Sequence, residues 1–284
     1  MRSTEMKIIQ QAFLLGVLSV CSIAQAVPSL EKLWLTEGLR VPESVLYYRD
    51  EKASYLFVSQ IDGDPSGIDG KGGIAKMTEG GELFAAEWIT GLNAPKGMAV
   101  FAKKLYVADV NELVVIDIKK GKVEQKIAVP GSVFLNDVAI DAQGVVYVSD
   151  TRTNKVHRIN GTAVETYLDK AESANGLKFM SGNLLVGAGT HLLLVDKNKT
   201  RLPLASGFAQ AIDGIEVVSR EGLIVSCWSG LIYYVGIDGK LKLLLDTLQA
   251  KINAADIGYK ADTQTLFVPN FAKNSVTAYR LTLN

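Results

Sequence analysis

Cysteine and histidine are scarce in this sequence, which contains two of each among 284 residues. Cys21 lies in an N-terminal segment that we expect to be removed, so Cys227 would be the single cysteine of the remaining chain. A single cysteine excludes an internal disulfide bond. An exported chain without disulfide bonds must be stabilised by its hydrophobic core or by a bound metal.

An excess of charge of either sign is also lacking. The sequence has 30 basic and 30 acidic side chains, and 28 basic and 29 acidic side chains remain after residues 1–26 are removed. A nearly neutral chain without basic runs argues against nucleic acid and against an anionic membrane surface as partners. After residue 26, no segment approaches the ~20 consecutive apolar residues that a membrane-spanning helix needs.

Residues 1–26 have the features of a secretory signal. Two basic residues precede an apolar stretch, and the small-x-small sequence at residues 24–26 precedes Val27. We therefore expect a mature chain that begins near Val27 and lies in the periplasm, with full secretion as an alternative. Two other interpretations are an uncleaved anchor, for which the apolar stretch is short, and a lipoprotein site at Cys21, for which the preceding Val20 is too large.

A six-fold repeat organises the rest of the chain. Each copy contains a β-prone run of two apolar residues, a valine and then small or polar residues, and successive valines are 38 to 49 residues apart. The valines are Val58, Val107, Val148, Val186, Val225 and Val268. Each run is followed by a third β-prone segment and usually by a fourth, separated by turn residues. Four short strands per repeat predict an all-β fold, a six-bladed β-propeller with four antiparallel strands per blade.

The sixth repeat has no fourth strand of its own before Asn284. Residues 31–39, which precede the first repeat, form a β-prone segment that can supply it. We therefore predict one domain over residues 27–284, with its ring closed by the N-terminal strand. Closure of this kind removes an open sheet edge that would invite aggregation.

Polar residues stand where most of the innermost strands begin. In a propeller these strands line a central channel, so their first residues should meet at one mouth. Counted along the repeat, these positions are Glu43, Lys96, Asn136, Asn175, Asp213 and Ala255. The two carboxylates and two amides are hard oxygen ligands of the kind that Ca²⁺ prefers, and the absence of cysteine and histidine disfavours a softer transition metal. Asn-Gly and Asp-Gly also form turns, but their recurrence at one phase of the repeat favours a metal site.

Several segments resemble the senescence marker protein/gluconolactonase family, and the resemblance extends over essentially the whole chain after the signal. They are "VPESVLYYRDEKASYLFVSQIDG", "FLNDVAIDAQGVVYVSDT", "ANGLKF", "DGIEV" and "ADIGYKADTQTLFVPN". The family is similar in plan to the paraoxonases and diisopropyl fluorophosphatase. The resemblance implies a six-bladed propeller that holds a divalent metal, usually calcium, and hydrolyses lactones or related esters. The family's metal-binding Glu, Asn, Asn and Asp correspond to Glu43, Asn136, Asn175 and Asp213.

The chain departs from the family at the substrate side. Gluconolactonase-like proteins have an arginine two residues before the first metal-binding Asn, where this chain has Phe134, and a plain strand replaces the charged lid that often follows. Both departures argue against a sugar lactone as substrate. We predict that Lys96 and Phe134 contact the substrate, with Lys96 orienting an anionic group.

The leading hypothesis is an exported, Ca²⁺-dependent hydrolase that acts as a monomer on a small lactone or ester. Asp213 is predicted to be both a metal ligand and a catalytic base or nucleophile, and Asp137 is predicted to support catalysis by orienting the metal ligands. One alternative is a non-catalytic propeller that binds a ligand or a protein partner. A third possibility is a purely structural mouth in which Lys96 neutralises Glu43 and Asp213.

Overall fold

The computed structural model describes residues 28–283, whose regular secondary structure is β-strand apart from one 3₁₀ turn. The strands are β1 (Ser29–Glu37), β2 (Pro42–Arg49), β3 (Ser54–Gln60), β4 (Gly72–Met77), β5 (Leu83–Leu92), β6 (Pro95–Phe101), β7 (Lys104–Asp109), β8 (Glu112–Asp117), β9 (Lys122–Ala128), β10 (Leu135–Ile140), β11 (Val146–Asp150), β12 (Lys155–Asn160), β13 (Ala163–Leu168), β14 (Ala174–Met180), β15 (Asn183–Ala188), β16 (His191–Val195), β17 (Arg201–Ser206), β18 (Ile212–Val217), β19 (Gly222–Cys227), β20 (Leu231–Gly236), β21 (Leu241–Asp246), β22 (Gly258–Lys260), β23 (Thr265–Pro269) and β24 (Ser275–Thr282). A single 3₁₀ turn, Phe271–Lys273, precedes β24. The expected signal at residues 1–26 lies outside the described residues. Within the described range, no helix has the length and hydropathy of a membrane span.

The strands form six four-stranded antiparallel sheets, which confirms the predicted six-bladed propeller. Blades 1 to 5 are β2–β5, β6–β9, β10–β13, β14–β17 and β18–β21, each in chain order from the channel outwards. Blade 6 contains β22, β23 and β24 with β1 as its outermost strand. Because β1 pairs antiparallel with β24, the N-terminal strand closes the ring as predicted.

The valine-containing runs of the repeat are the second strands of the blades, and they are buried on both faces. In β11 all five residues are buried. Val148 packs into a core shared with blade 2, whereas Tyr147 packs into a core shared with blade 4. Successive side chains of a strand point to opposite faces, so a strand between two blades must be apolar at nearly every position. The outer strand β9, in contrast, is exposed except at Ile127.

The second and third residues of the innermost strands form a β-bulge in blades 1 to 5. In blades 1 to 5 the pairing between the first and second strands shifts register there, for example between Leu135 and Val138 in blade 3. The bulge breaks the hydrogen-bond ladder, and in three blades a serine after the repeat valine accepts the freed backbone N–H. Ser149 Oγ accepts from Asp137 N at 2.8 Å. Ser59 and Ser226 do the same for Ser44 and Gly214. In these three blades the serine of the repeat therefore satisfies a backbone N–H group that the bulge removes from the sheet pairing.

Candidate metal centre at the channel mouth

A cavity of about 310 Å³ lies at the mouth of the central channel. Five of the six strand-head residues that the repeat singled out line it, and Ala255 does not. The lining residues are Glu43, Ile61, Pro65, Lys96, Phe134, Asn136, Arg152, Asn175, Asp213, Trp228 and Phe271. The structure thus brings together all four residues predicted to bind metal and both residues predicted to contact substrate.

The two carboxylates of the mouth each keep a buried oxygen without a hydrogen-bond partner. These atoms are Oε2 of Glu43 and Oδ2 of Asp213, and both side chains are almost fully buried. The other oxygen of Asp213 accepts a hydrogen bond from Nδ2 of Asn175 at 2.8 Å. Buried carboxylate oxygens without partners are rare and costly, so these two atoms suggest a site for a cation.

The side-chain amide of Asn136 is held by a hydrogen bond through its nitrogen. Its Nδ2 donates to Oγ1 of Thr151 at 3.0 Å, and Thr151 in turn donates to the carbonyl of Ala174 in blade 4. This chain of hydrogen bonds occupies the amide nitrogen and leaves Oδ1 of Asn136 available as an acceptor. Asn136 and Asn175 therefore add neutral oxygen donors beside the two carboxylates.

Burial is the largest influence on the pKa values of the two carboxyl groups at the mouth. Burial raises the pKa of Asp213 to about 8, with a further contribution from the charge of Asp256 and an opposing one from its hydrogen bond to Asn175. Burial also raises the pKa of Glu43 well above its usual value, and the charges of Asp213 and Asp256 add to the effect. A bound dication would favour the charged form of both groups.

The donor set fits a hard cation of the calcium type. Two carboxylates and two amide oxygens are the ligand classes that Ca²⁺ uses, with water to complete its coordination. Among residues 28–283, no group of three or more His, Cys, Asp or Glu side chains is placed to hold a metal ion. The mouth combines only two such side chains with two amides, so an ion there would depend on the mixed set.

Lys96 is buried at the mouth and forms no salt bridge with either carboxylate there, although its charge opposes the rise in the pKa of Glu43. Its Nζ donates to the carbonyl of Ala94 at 2.8 Å and lies 4.4 Å from the centroid of the Phe134 ring. Within residues 28–283, no carboxylate oxygen lies within 4.0 Å of this nitrogen. Burial lowers the pKa of Lys96 to about 8, against the opposing charge of Glu43. The neutralising ion pair considered from the sequence is absent from this geometry.

Asp137 lies below the mouth and not in the cavity that Asn136 lines. Its carboxylate accepts hydrogen bonds from Val138 N and, across the blade boundary, from Leu177 N, both at 2.6 Å. It lines a second cavity of about 330 Å³ towards the opposite end of the channel. In this position Asp137 connects blades 3 and 4 and supports the strands that carry Asn136 and Asn175.

Asp256 is a channel carboxylate that the sequence reasoning missed. It lines the second channel cavity, accepts a hydrogen bond from the hydroxyl of Ser44, and lies one residue after the counted position Ala255. It stands at the repeat position that Asp137 occupies in blade 3, and Asp137 lines the same cavity. The signal was present in the sequence, because the phase argument applies to both residues of each pair.

The sequence also did not predict that Arg152 lines the mouth, or that Trp228 and Phe271 together form an aromatic wall there. The guanidinium carbon of Arg152 lies 4.4 Å from the centroid of the Phe134 ring. Trp228 and Phe271 are in contact edge to face, with centroids 5.6 Å apart. All three residues lie just beyond the ends of second strands, where the repeat no longer constrains residue type.

Cys227 and both histidines lie outside the lining of the mouth cavity. Cys227 is buried in the core between blades 4 and 5, and burial raises the pKa of its thiol to about 12. His157 and His191 lie in the third strands β12 and β16, as predicted, and neither lines the mouth cavity. His157 is buried 3.7 Å from the carboxylate of Asp150.

The sequence matches no protein-family model and no curated protein. Solved structures are similar in fold. A candidate gluconolactonase has a TM-score of 0.66 at 16% identity, covering 91% of this chain and 94% of that chain. Streptogramin B lyase has a TM-score of 0.64 at 13% identity, covering 90% of this chain and 98% of that chain. A catalytically inactive variant of virginiamycin B lyase from Staphylococcus aureus, solved with quinupristin, has a TM-score of 0.59 at 12% identity, covering 90% and 100%.

At these identities the comparisons show the fold alone. They include a gluconolactonase-like protein with the same blade arrangement, which is consistent with the family resemblance of the sequence.

Proposed function

We propose that this protein is an exported, Ca²⁺-dependent hydrolase of lactones or small esters that works at the channel mouth. The observation that carries the proposal is the pair of buried, partnerless carboxylate oxygens of Glu43 and Asp213 beside two amides. The similarity of the fold to a candidate gluconolactonase supports the same reaction class. The proposal places the enzyme in the periplasm as a monomer.

Each residue of the mouth has a distinct role in this proposal. Glu43 and Asp213 supply negative charge to the ion, and Asn136 and Asn175 supply neutral oxygens. When bound, Ca²⁺ supplies Lewis-acid polarisation of a carbonyl group. Asn175 fixes one oxygen of Asp213 by its hydrogen bond. The second oxygen has no hydrogen-bond partner in the protein and is therefore available to the ion.

Asp213 is also the proposed proton acceptor for the attacking water. A cation bound beside Asp213 would keep this carboxyl ionised, and its oxygen without a hydrogen-bond partner is the atom available to accept a proton. Transfer of the water proton to Asp213 would accompany formation of the new C–O bond, and Asp213 would then give that proton to the departing alkoxide as the ester bond breaks. Asp137 is a positioning residue in this scheme because it bonds to Leu177 N and lies outside the mouth cavity.

A panel of lactones, aryl esters and phosphotriesters tests this function. We expect hydrolysis of at least one lactone or ester in Ca²⁺, loss of turnover in excess chelator, and at least a hundredfold lower kcat in Asp213→Asn. Asp262→Asn, which changes an exposed carboxylate on a β22–β23 turn residue, is the matched control. Normal turnover by Asp213→Asn would contradict the assigned role.

A non-catalytic binding propeller is the second candidate. The observation that favours it is the absence of the family's substrate-binding arginine from the position of Phe134. Saturable Ca²⁺ binding without turnover of any panel compound would support this function and reject the hydrolase.

A further inference from the structure

Two cationic side chains converge on one aromatic ring at the mouth. Lys96 Nζ and the guanidinium carbon of Arg152 each lie 4.4 Å from the centroid of Phe134. A cation over an aromatic face is stabilised by the ring's quadrupole. Phe134 therefore offsets part of the cost of holding two positive groups close together.

Phe134 is itself fixed by the fold. Its backbone N–H and that of Val133 donate to the two carboxylate oxygens of the buried Asp150, each at 3.0 Å. Asp150 ends β11, and Arg152 follows it by two residues. The ring and the guanidinium are thus attached to the same rigid corner of blade 3.

Arg152 has unused hydrogen-bonding capacity. Within residues 28–283, no carboxylate oxygen lies within 4.0 Å of its guanidinium nitrogens. Contact with an aromatic ring uses the face of a guanidinium and leaves its in-plane N–H groups free, in a geometry that matches a carboxylate. The side chain is exposed and lines the cavity, so an incoming anion can reach it.

The charge of the mouth favours an anion once a cation is present. The two carboxylates that line the cavity would be balanced by one dication, which leaves Lys96 and Arg152 as positive groups in excess. Asp109 and Asp64 also face Lys96 and offset part of its charge, whereas within residues 28–283 no carboxylate oxygen lies within 4.0 Å of the Arg152 guanidinium.

The rest of the cavity wall is apolar and aromatic. Trp228 is 48% exposed and packs edge to face against Phe271. Ile61 and Pro65 of the loop after β3 complete this wall. The volume of about 310 Å³ is at the lower end of the range for small-molecule sites. An exposed tryptophan at a cavity mouth provides a flat surface for a ring.

We infer that the mouth selects substrates in which an aromatic or similarly flat apolar body carries a carboxylate, with Arg152 and Lys96 binding the carboxylate. This inference rests on the proposed hydrolase insofar as it names the ligand a substrate. Recognition of the carboxylate itself concerns ligand binding and needs no turnover. It assigns Arg152 as the specificity residue where the sequence offered only Lys96 and Phe134.

Ligand binding tests the recognition without any turnover. The probes are benzoate and its uncharged analogue benzyl alcohol, titrated by calorimetry into the Ca²⁺-supplemented protein. We expect benzoate to bind at least tenfold more tightly than benzyl alcohol, Arg152→Gln to abolish that preference, and Arg152→Lys to restore part of it. Arg220→Gln removes one positive charge from the β18–β19 turn, outside the mouth cavity, and should leave the preference unchanged.

Turnover separates this inference from the proposed function. The substrates are 4-acetoxybenzoate and its methyl ester, which differ in the charge of the carboxyl group. Hydrolysis with a lower KM for the anion, and loss of that KM advantage in Arg152→Gln, would support both proposals. Arg152-dependent benzoate binding with no hydrolysis would support the recognition and reject the hydrolase. Equal treatment of the charged and uncharged compounds in wild type, or an unchanged preference in Arg152→Gln, would overturn the recognition.

Discussion

Asn175 in blade 4 donates a hydrogen bond from Nδ2 to Oδ1 of Asp213 in blade 5 at 2.8 Å. The two residues occupy the same place in successive repeats, and each lies in the bulge near the start of an innermost strand. The bond fixes one oxygen of Asp213 and leaves the other buried without a partner. Neighbouring blades therefore cooperate in shaping the mouth, because a side chain of one blade orients a side chain of the next.

The first prediction concerns Gly97, which follows Lys96 in the blade 2 bulge. A Cβ atom there would lie 2.3 Å from Oδ1 of Asp137 and 2.8 Å from the carbonyl of Asn136. We expect Gly97→Ala to lower the free energy of unfolding by about 1–3 kcal/mol or more, because backbone and a hydrogen-bonded carboxylate must move. Urea unfolding measures the change. Gly80→Ala is the control, since its nearest neighbour is 3.8 Å away, and equal effects of the two variants would refute the account.

The second prediction concerns Asp150, which accepts hydrogen bonds from two backbone N–H groups. Burial raises its pKa, but contacts with His157, Thr153 and these N–H groups outweigh burial and lower it to about 2. An asparagine side chain at this position would offer one acceptor oxygen where two are needed. Asp150→Asn should therefore destabilise the protein by about 1–3 kcal/mol at pH 7, as measured by urea unfolding.

The pH dependence of that variant has a defined sign. A carboxyl whose pKa is lowered in the folded state contributes stability above its unfolded pKa, and that contribution is lost as the pH falls towards about 2. The difference in unfolding free energy between wild type and Asp150→Asn should therefore shrink between pH 5 and pH 2.5. A difference that stays constant over this range would contradict the prediction.

The third prediction concerns Asp256 in the metal-free protein. Burial raises its pKa to about 7, and the hydroxyl of Ser44 partly opposes the rise. A group with a raised folded-state pKa contributes stability at low pH and loses it as the pH rises through that value. In chelator, the unfolding free energy should fall between pH 5 and pH 8.5. Asp256→Asn should reduce this fall by about 1 kcal/mol or more, because each pKa unit corresponds to about 1.4 kcal/mol.

Asp262→Asn serves as the comparison, because its carboxylate is 54% exposed. It should leave the pH dependence as in wild type. If Asp256→Asn has the same slope as wild type, Asp256 does not titrate in the folded state as proposed.

The sequence predicted the architecture because propeller blades impose strong local constraints. A second strand between two packed blades must be apolar on both faces, and this produced the regular valines such as Val148. The sixth repeat lacked a fourth strand, so residues 31–39 were predicted to close the ring. The pairing of β1, which contains most of these residues, with β24 confirmed that prediction. The strand heads were found by phase alone, and Glu43, Asn136, Asn175 and Asp213 do line one cavity.

What the sequence did not reveal depends on local geometry. Asp256 lies one residue after the counted Ala255, and only the folded ring brings it into the channel cavity that Asp137 also lines. Arg152 lies in a turn after β11, and only the folded corner brings it onto Phe134. No periodic pattern in a single sequence encodes contacts of that kind.

The central claim is that the channel mouth binds Ca²⁺ through Glu43 and Asp213. Its most direct test is a calorimetric Ca²⁺ titration of the chelator-treated protein beginning at Val27, together with Glu43→Gln, Asp213→Asn and the control Glu51→Gln, which alters an exposed residue at the other end of β2. The account predicts saturable one-site binding in wild type and the control, and at least a tenfold loss of affinity in each mouth variant. Absence of binding in wild type, or unchanged affinity in both mouth variants, would contradict it.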